Sequence, residues 1–291
     1  MSSPEVGAGS TCPACHGETI RLVRSGAFGR SDLVRCRTCR TEFLVPQPSD
    51  DRLSEIYGAD YYEPWTVEDG RIVDVMKQLT FQPLLDACRI EAGAALLDLG
   101  CATGAFLAEA AQRGAQTYGI DLNPVAIAQA QQRVPEARLH AGRTDDQPFR
   151  GVDFDAVVMI DFLEHVRDPE AELAIVRERM RPGARLVIST PCVDSVLRDL
   201  MQRNWPQYRE EHLTYFSRRG ITQLLQQCGL RVESMGPTRK ALTLAYAHGQ
   251  MKAYPVPVVG LTVAVTYRLL PMLRHRPVRF RLGEMTVVAR S

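Results

Sequence analysis

A glycine-rich turn between an apolar run and a helical pattern constrains this chain more than any other feature. The run Ala95–Leu99 predicts a buried strand, and Gly100 and Gly104 follow it directly, ahead of an alanine-rich helical pattern. Glycine lets a ligand approach the backbone closely, and the start of a helix offers unpaired backbone amides. We therefore expect a strand–turn–helix unit that holds a nucleotide-like ligand.

The alternation of apolar runs and helical patterns continues to the end of the chain. Asn123 and Asp168 each precede a proline, which is typical of an N-cap followed by the first helical turn. Ser217 is a third candidate N-cap, and Gly229 suits the end of that helix. This alternation predicts an α/β fold, a Rossmann-like parallel sheet with helices on both faces. The predicted strands are Ala95–Leu99, Gln116–Asp121, Ala137–Gly142, Phe154–Asp161 and Arg185–Thr190, followed by a hairpin-like pair, Arg231–Gly236 and Gly283–Arg290.

Three kinds of nucleotide ligand compete for the glycine turn. No Gly-Lys-Ser/Thr follows it, which excludes the phosphate loop of proteins that hydrolyse ATP or GTP. A dinucleotide site has three spaced glycines, whereas Ala102 and Ala105 stand at the other positions here. Asp98 suits the ammonium group of a methionine moiety, and Asp121, at the tip of the second strand, can accept both ribose hydroxyls. The turn therefore predicts S-adenosylmethionine (SAM) as the cofactor.

The segment from residue 96 to 191 resembles the class I SAM-dependent methyltransferases. It carries, in the family's order, Asp-Leu-Gly-Cys-Ala-Thr-Gly, Gly-Ile-Asp, Phe-Asp-Ala-Val-Val-Met-Ile-Asp-Phe-Leu-Glu-His and Leu-Val-Ile-Ser-Thr-Pro. The resemblance implies that the glycine turn lines the methionine and ribose, and that Asp161 and Phe162 border the methionine. The candidate cofactor-binding residues are Asp98, Gly100, Cys101, Ala102, Gly104, Asp121, Leu122, Thr144, Asp145, Asp161 and Phe162.

The chain departs from the family's pattern after the third predicted strand. The family has Gly-Asp there, with the carboxylate near the adenine amine, but Arg143 follows the glycine in this chain. The adenine contact is therefore expected at Thr144 or Asp145. Farther along, we interpret Glu164 and His165 as polar caps of the turn after the fourth strand, in preference to a catalytic role.

His212 is the candidate general base, a group that methyl transfer needs where the acceptor atom must lose a proton. The neighbouring Glu211 can orient its imidazole and move its pKa toward neutral. The run Glu-His-Leu-Thr-Tyr-Phe-Ser that begins at Glu211 is similar to one in deoxysugar C-methyltransferases, which also carry an N-terminal zinc ribbon. The resemblance implies deprotonation by Glu211 and His212, assisted by a tyrosine. Tyr57, Tyr61 and Tyr62 are candidates for it, and Tyr62 is taken as the catalytic one.

A similar histidine also occurs before a helix in O-methyltransferases that act on quinone precursors. A role for His212 as a cap of the helix after Ser217 therefore stays open. We expect a methyltransferase of a small metabolite, such as a sugar or a secondary-metabolite intermediate. The alternatives are a methyltransferase of RNA or protein that docks through the ribbon, and a non-catalytic scaffold with the SAM fold.

Two Cys-x-x-Cys pairs near the N-terminus predict a metal centre. Such pairs bring four thiolates to the corners of a tetrahedron, which is how structural zinc is held. We expect a zinc ribbon over residues 1–45, a linker and aromatic-rich segment over 46–90, and the SAM domain over 91–291. The predicted zinc ligands are Cys12, Cys15, Cys36 and Cys39.

Charge and composition limit the choice of partner. The 35 Lys and Arg residues nearly balance the 34 Asp and Glu residues, so bulk nucleic-acid binding is not expected. The first ten residues lack the pattern of a secretory signal, and paired CxxC motifs suit a reducing compartment, so we expect a cytoplasmic protein.

Three interpretations stay open for an apolar and basic insertion at about residues 240–281. It can be a lid over the substrate pocket, the contact surface of a homodimer, or a peripheral membrane contact through residues 255–281. Prolines and an arginine interrupt its apolar run, so it does not predict a transmembrane helix.

Overall fold

The protein is built on strands and helices that alternate over most of the chain. The computed structural model describes residues 10–18, 20–57, 70–253 and 257–291. The strands are β1 (Ile20–Phe28), β2 (Ser31–Cys36), β3 (Glu42–Val45), β4 (Ala95–Leu99), β5 (Gln116–Asp121), β6 (Arg138–Ala141), β7 (Phe154–Ile160), β8 (Met180–Pro191), β9 (Thr214–Tyr215), β10 (Arg231–Pro237), β11 (Lys240–Leu242), β12 (Val278–Phe280) and β13 (Glu284–Arg290). The helices are α1 (Asp50–Ile56), α2 (Gly70–Cys88), α3 (Ala105–Gln112), α4 (Pro124–Arg133), α5 (Pro169–Glu178), α6 (Val196–Met201), α7 (Arg218–Gln227), α8 (Leu244–Ala253) and α9 (Pro257–Leu269).

A seven-stranded sheet in the order β10-β13-β8-β7-β4-β5-β6 forms the centre of the fold. The strands β4 to β8 pair in parallel, and β13 lies antiparallel between β8 and β10. The predicted α/β fold is confirmed, although β8 begins earlier than predicted, at Met180. The expected final pair, β10 and β13, also forms, but a long insertion separates its two strands in the sequence.

Side chains on β4 alternate between two apolar layers, as expected for a sheet covered on both faces. Leu96 packs with residues of α2 and α3, whereas Leu97 and Leu99 pack with residues of α5 and α7. The caps predicted from the sequence are confirmed, because the side chains of Asn123, Asp168 and Ser217 each accept a backbone N–H in the first turn of their helices.

The N-terminal ribbon shares its sheet with a strand from the second half of the chain. Its strands β1, β2 and β3 form a sheet in which β9 is the fourth strand. At the second Cys-x-x-Cys pair, the Ser217 hydroxyl donates a hydrogen bond to the Cys39 carbonyl. The ribbon is therefore joined to the rest of the chain by strand pairing and by the first turn of α7.

A buried carboxylate holds the ribbon to the segment around α6. Glu42 is fully buried in β3 and accepts hydrogen bonds from three side chains, those of Arg35, Arg198 and Tyr208. A buried carboxylate of this kind is tolerable only because these donors surround it.

Replacing Glu42 by alanine should lower the free energy of unfolding by about 3–5 kcal/mol, because two largely buried guanidinium groups, those of Arg35 and Arg198, lose their buried anion. Urea denaturation followed by circular dichroism measures the change. Asp86→Ala is the matched control, since it removes an exposed ion pair with Arg113 and should cost less than about 1 kcal/mol. Equal losses in the two variants would contradict the structural role of Glu42.

The predicted insertion forms β11, α8, α9 and β12. The strands β11 and β12 pair antiparallel as a separate two-stranded sheet, and α8 packs against α9. None of the helices in the described part of the chain combines the length and the apolar content needed to cross a membrane.

Candidate active site and metal centre

The glycine turn after β4 is shaped by close packing. Gly100 has φ +76° and Gly104 has φ +72°, in the left-handed region that glycine adopts without strain. A Cβ atom at Gly100 would lie 2.9 Å from Cδ2 of Phe162, and one at Gly104 would lie 2.9 Å from the Cβ of Ala130. Any side chain at either position would clash with these neighbours, so the turn can pack in this way only with glycine at both positions.

Asp121 stands at the end of β5 and faces this turn. Its carboxylate accepts hydrogen bonds from the backbone N–H of Ala102 and of Asn123, both at 2.9 Å. Burial raises its pKa, although these two amides oppose the effect. Asp98 is fully buried next to it, and burial together with the charge of Asp121 raises the pKa of Asp98 well above its ordinary value.

The other candidate cofactor residues surround the same edge of the sheet. Cys101 is buried in the turn, and Leu122 is exposed just beyond β5. Thr144 is buried at the start of a short 3₁₀ turn, whereas Asp145 is exposed and pairs with the neighbouring Arg143. The choice between Thr144 and Asp145 for the adenine contact stays a prediction.

Next to the cofactor turn lies a set of charged side chains of which the sequence singled out only Asp161. Lys240, at the start of β11, places its Nζ 2.7 Å from Asp161 and 2.9 Å from Glu284. Burial alone would lower the pKa of Lys240, but the two carboxylates raise it above its ordinary value. Gln207 donates to the same oxygen of Glu284, while the other oxygen has no partner among the described residues.

Glu164, His165 and His212 meet beside this set. One potential ligand atom from each lies within 4.8 Å of the others, and the two imidazole rings contact edge-to-face with centroids 4.7 Å apart. One oxygen of Glu164 accepts from Thr190 at 2.9 Å, and the other is buried without a partner in the described structure. Two imidazoles and a carboxylate so close together suit proton transfer, and a divalent cation can use the same three groups.

The protonation of His212 follows from its hydrogen bond. Its Nδ1 lies 2.7 Å from the Gln207 carbonyl, which can only accept, so Nδ1 carries the hydrogen and Nε2 keeps its lone pair. Burial lowers the pKa of His212 well below its ordinary value, and nearby His165 adds to the effect. Burial also lowers the pKa of His165 to about 4. Both imidazoles are therefore neutral at neutral pH.

The expected pairing between Glu211 and His212 is wrong. The Glu211 carboxylate lies 3.4 Å from Arg209, and the group that orients His212 is the Gln207 carbonyl. Glu211 contributes its backbone oxygen instead, 3.0 Å from Nδ1 of His165. Residues 211 and 212 are adjacent in the sequence, but their side chains contact different partners, which spacing alone does not reveal.

His165 also corrects an interpretation, because it is part of a buried cluster and more than a turn cap. Its Nδ1 lies 2.6 Å from the hydroxyl of Tyr57, one of the three candidate tyrosines. Tyr61 and Tyr62 lie outside the described residues, so the assignment of Tyr62 stays a prediction. The Leu-Glu-His sequence after the fourth strand was the signal for Glu164 and His165, whereas nothing local marks Lys240 or Glu284.

The four cysteines of the ribbon converge. The Sγ atoms of Cys12 and Cys39 are 3.5 Å apart, those of Cys15 and Cys36 are 3.6 Å apart, and none of the four forms a disulfide. A tetrahedral site with Zn–S bonds of about 2.3 Å has S–S edges of about 3.8 Å. The donor set therefore fits a structural zinc ion.

Two backbone hydrogen bonds connect the ribbon to the histidine cluster. Leu213 accepts from the N–H of Leu44 on β3, and its own N–H donates to the carbonyl of Glu164. His212 thus precedes a residue that is held by the ribbon on one side and by the turn after β7 on the other.

Comparison with known proteins agrees with this geometry. Residues 75–235 match a family described as a methyltransferase domain. That match covers more than half of the chain, and together with the strand order and the glycine turn it identifies the fold and site as those of class I SAM-dependent methyltransferases. The chain belongs to this methyltransferase family.

The curated relatives are similar over the central part of the chain. A ubiquinone biosynthesis O-methyltransferase from Aeromonas salmonicida is 35% identical over 109 residues, which covers 34% of this chain and 43% of that protein. The O-methyltransferase cnsE from Penicillium expansum is 36% identical over 115 residues, 35% of this chain and 42% of that protein. The chain thus spans less than half the length of either relative.

Solved structures share the fold at low identity. The magnesium protoporphyrin IX methyltransferase of Synechocystis PCC 6803, solved with bound SAH, has a TM-score of 0.55 at 14% identity and covers 83% of this chain and 99% of its own. The [4+2]-cyclase SpnF has a TM-score of 0.54 at 18% identity, with coverage of 84% and 97%. Because one of these proteins is named a cyclase, the fold does not by itself define the reaction.

Proposed function

We propose that the protein transfers a methyl group from SAM to a small-molecule acceptor, with His212 as the general base. The observation that carries the proposal is a neutral imidazole, oriented by the Gln207 carbonyl, beside the strand ends that form the cofactor turn. A general base must be deprotonated at working pH and held in place, and burial with one fixed hydrogen bond supplies both conditions.

The residues of the turn fit SAM. Gly100 and Gly104 permit the left-handed backbone and the close packing that shape the turn, and Asp121 offers a carboxylate at the ribose position of the family. When bound, SAM supplies a methyl group on a sulfonium that is already a good leaving group. The contribution of the chain is therefore to position the acceptor and to remove its proton.

Replacing Gly100 by alanine should weaken SAM binding by about tenfold, because the new Cβ meets the Phe162 ring at 2.9 Å and φ is +76°. Calorimetric titration with SAM measures the change. Gly151→Ala is the matched control: Gly151 has φ +82° but no atom within 4 Å of its Cβ position, so it introduces strain without a clash. An equal loss of affinity in both variants would contradict the specific role of Gly100.

The charges around the cluster support a neutral, hydroxylated acceptor. Asp161 and Glu284 both pair with Lys240, and one buried oxygen each of Glu164 and Glu284 lacks a donor among the described residues. Such oxygens need hydrogen-bond donors, which the hydroxyl groups of a sugar or a related metabolite supply. The two carboxylates that pair with Lys240 leave that lysine without free positive charge for a phosphate or carboxylate on the acceptor. The names of the curated relatives favour oxygen as the methyl acceptor.

Transfer of isotope-labelled methyl from SAM to fractionated cell extract tests the proposal. We expect label in a low-mass fraction, lost in Asp121→Ala and in His212→Asn, and mass spectrometry then identifies the acceptor. Label in RNA or protein would contradict the substrate class and favour docking through the ribbon. Absence of SAM binding would overturn the proposed activity altogether.

For the ribbon, we propose that Cys12, Cys15, Cys36 and Cys39 hold a structural zinc ion. Four thiolates leave no open position on zinc for substrate, so the metal would fold the ribbon without taking part in the chemistry.

A further inference from the structure

The charges of the chain are strongly segregated. Residues 234–283 contain eight Lys and Arg residues and no Asp or Glu, so the remainder of a chain with net charge +1 carries −7. The basic residues of this segment are Arg239, Lys240, Lys252, Arg268, Arg274, Arg276, Arg279 and Arg281. The near-zero net charge of the whole chain therefore hides one basic segment, most of which lies in the insertion.

The same insertion exposes an apolar stripe on α9. Leu261, Val265 and Leu269 follow one another at intervals of four residues, which places them on one side of the helix. They are 68%, 47% and 72% exposed, and Met272 just beyond the helix is 83% exposed. Large aliphatic side chains this exposed, and aligned, mark an interaction surface.

Basic side chains flank this stripe without being neutralised. Arg268, Arg276, Arg279 and Arg281 are exposed, and none forms an ion pair with a residue in the described part of the chain. The neighbouring β12 adds two exposed apolar side chains, Val278 and Phe280. The region thus combines long apolar side chains with unneutralised positive charge.

We propose that α9 and the segment that follows it dock on an anionic lipid surface. Exposed leucine and methionine gain by entering the hydrocarbon boundary, and arginines gain by lying among anionic headgroups. A nucleic acid would use the arginines but leave the leucines in water. An acidic protein would pair with the arginines but would also need an apolar groove that matches the leucines. An anionic lipid surface satisfies both kinds of side chain without such a match.

The location of the surface is consistent with this role. In β11 and β12, Lys240 pairs with Phe280, so the strand that carries an exposed phenylalanine lies beside the one that sends Lys240 to Asp161 and Glu284. Docking would therefore bring the acceptor site close to the lipid surface. The docking itself does not depend on the proposed methyl transfer.

Co-sedimentation of the full chain with vesicles tests the proposal. We expect binding to vesicles of phosphatidylcholine and phosphatidylglycerol, little binding to pure phosphatidylcholine, and release at about 1 M salt, where charges are screened beyond about 3 Å. Failure to bind the anionic vesicles at low salt, or equal binding to both, would overturn the proposal. Because no SAM or acceptor is present, the result is independent of the enzymatic activity.

Two variants test the apolar side chains and the arginines of the surface separately. Leu261→Glu with Leu269→Glu should reduce anionic-vesicle binding by at least about tenfold, and so should the fourfold change of Arg268, Arg276, Arg279 and Arg281 to Gln. The matched controls are Val196→Glu with Leu200→Glu, two exposed residues on α6, and the fourfold change of Arg21, Arg24, Arg30 and Arg37 to Gln on the ribbon. Both controls should bind as the wild type does.

The same variants also distinguish a lipid surface from other binding partners. Equal loss in the test and control variants would show general electrostatic adhesion and contradict a defined surface. Low-salt binding to RNA or duplex DNA that needs the arginines, with vesicle binding unaffected by the change of Leu261 and Leu269, would assign the surface to nucleic acid and overturn the lipid proposal. Circular dichroism confirms that each variant folds.

Discussion

Replacing His212 by asparagine should lower kcat for methyl transfer by about 10²–10⁴, the range expected for loss of a general base. The asparagine amide can still donate a hydrogen bond to the Gln207 carbonyl, which His212 contacts at 2.7 Å through Nδ1. It lacks the lone pair that Nε2 provides. Steady-state kinetics with the acceptor identified by mass spectrometry measure the effect.

The asparagine variant distinguishes catalysis from capping. A histidine that only caps the helix after Ser217 would be replaced by asparagine with little loss of activity, so near-normal kcat in His212→Asn would contradict the proposal. SAM affinity and thermal stability should stay close to those of the wild type. His248→Ala is the control, since His248 stacks on Tyr267 in the insertion and should leave kcat nearly unchanged.

A cation at the cluster is tested with a further variant, Glu164→Gln, beside His212→Asn. If Glu164, His165 and His212 held a divalent ion that is required for the reaction, added metal would change the activity of the wild type. The wild type would then bind one ion more than the four cysteines can hold, and Glu164→Gln would lose that additional ion. If they act only in proton transfer, metal content stays unchanged in all variants.

Local sequence was sufficient to predict the sheet because each element carries its own signal. β4 and β5 have the predicted bounds, and the three capping residues bond as expected. The predicted parallel order follows from strand–helix alternation, which permits few topologies. The ribbon could be placed only as a separate unit, however, because its pairing with β9 joins residues about 170 positions apart.

The site was predicted less completely than the fold. Motifs located the cofactor turn and His212, but the partners of His212 depend on how chain segments pack. Gln207 orients His212 through its backbone carbonyl, and any residue type can provide one. Lys240 begins the insertion and Glu284 follows it, and only the packing of two different sheets, β11 with β12 and β13 with β8, brings both residues to Asp161.

Removing the metal from the ribbon should reduce methyl transfer by at least about tenfold while leaving SAM affinity within about twofold of normal. Structural zinc contributes folding free energy directly, about 10–16 kcal/mol in isolated zinc-finger peptides at pH 7. The loss of order would reach the active site through β3, since Leu44 holds Leu213, and Leu213 follows His212 and binds the Glu164 backbone. The cofactor turn lies on β4 and β5 and makes none of these contacts.

Cys12→Ser tests this connection without chelators. We expect near-complete loss of bound zinc by atomic emission, disordered ribbon resonances by NMR, and the tenfold drop in activity. Cys228→Ser, a free cysteine outside the metal cluster, should keep both zinc and activity. Full activity in zinc-free Cys12→Ser would show that β9 and His212 hold their positions without the ribbon, and the ribbon's part in catalysis would then be excluded. Loss of SAM affinity in parallel with activity would instead show that the metal supports the whole fold, because the strand pairing alone does not extend to the cofactor turn.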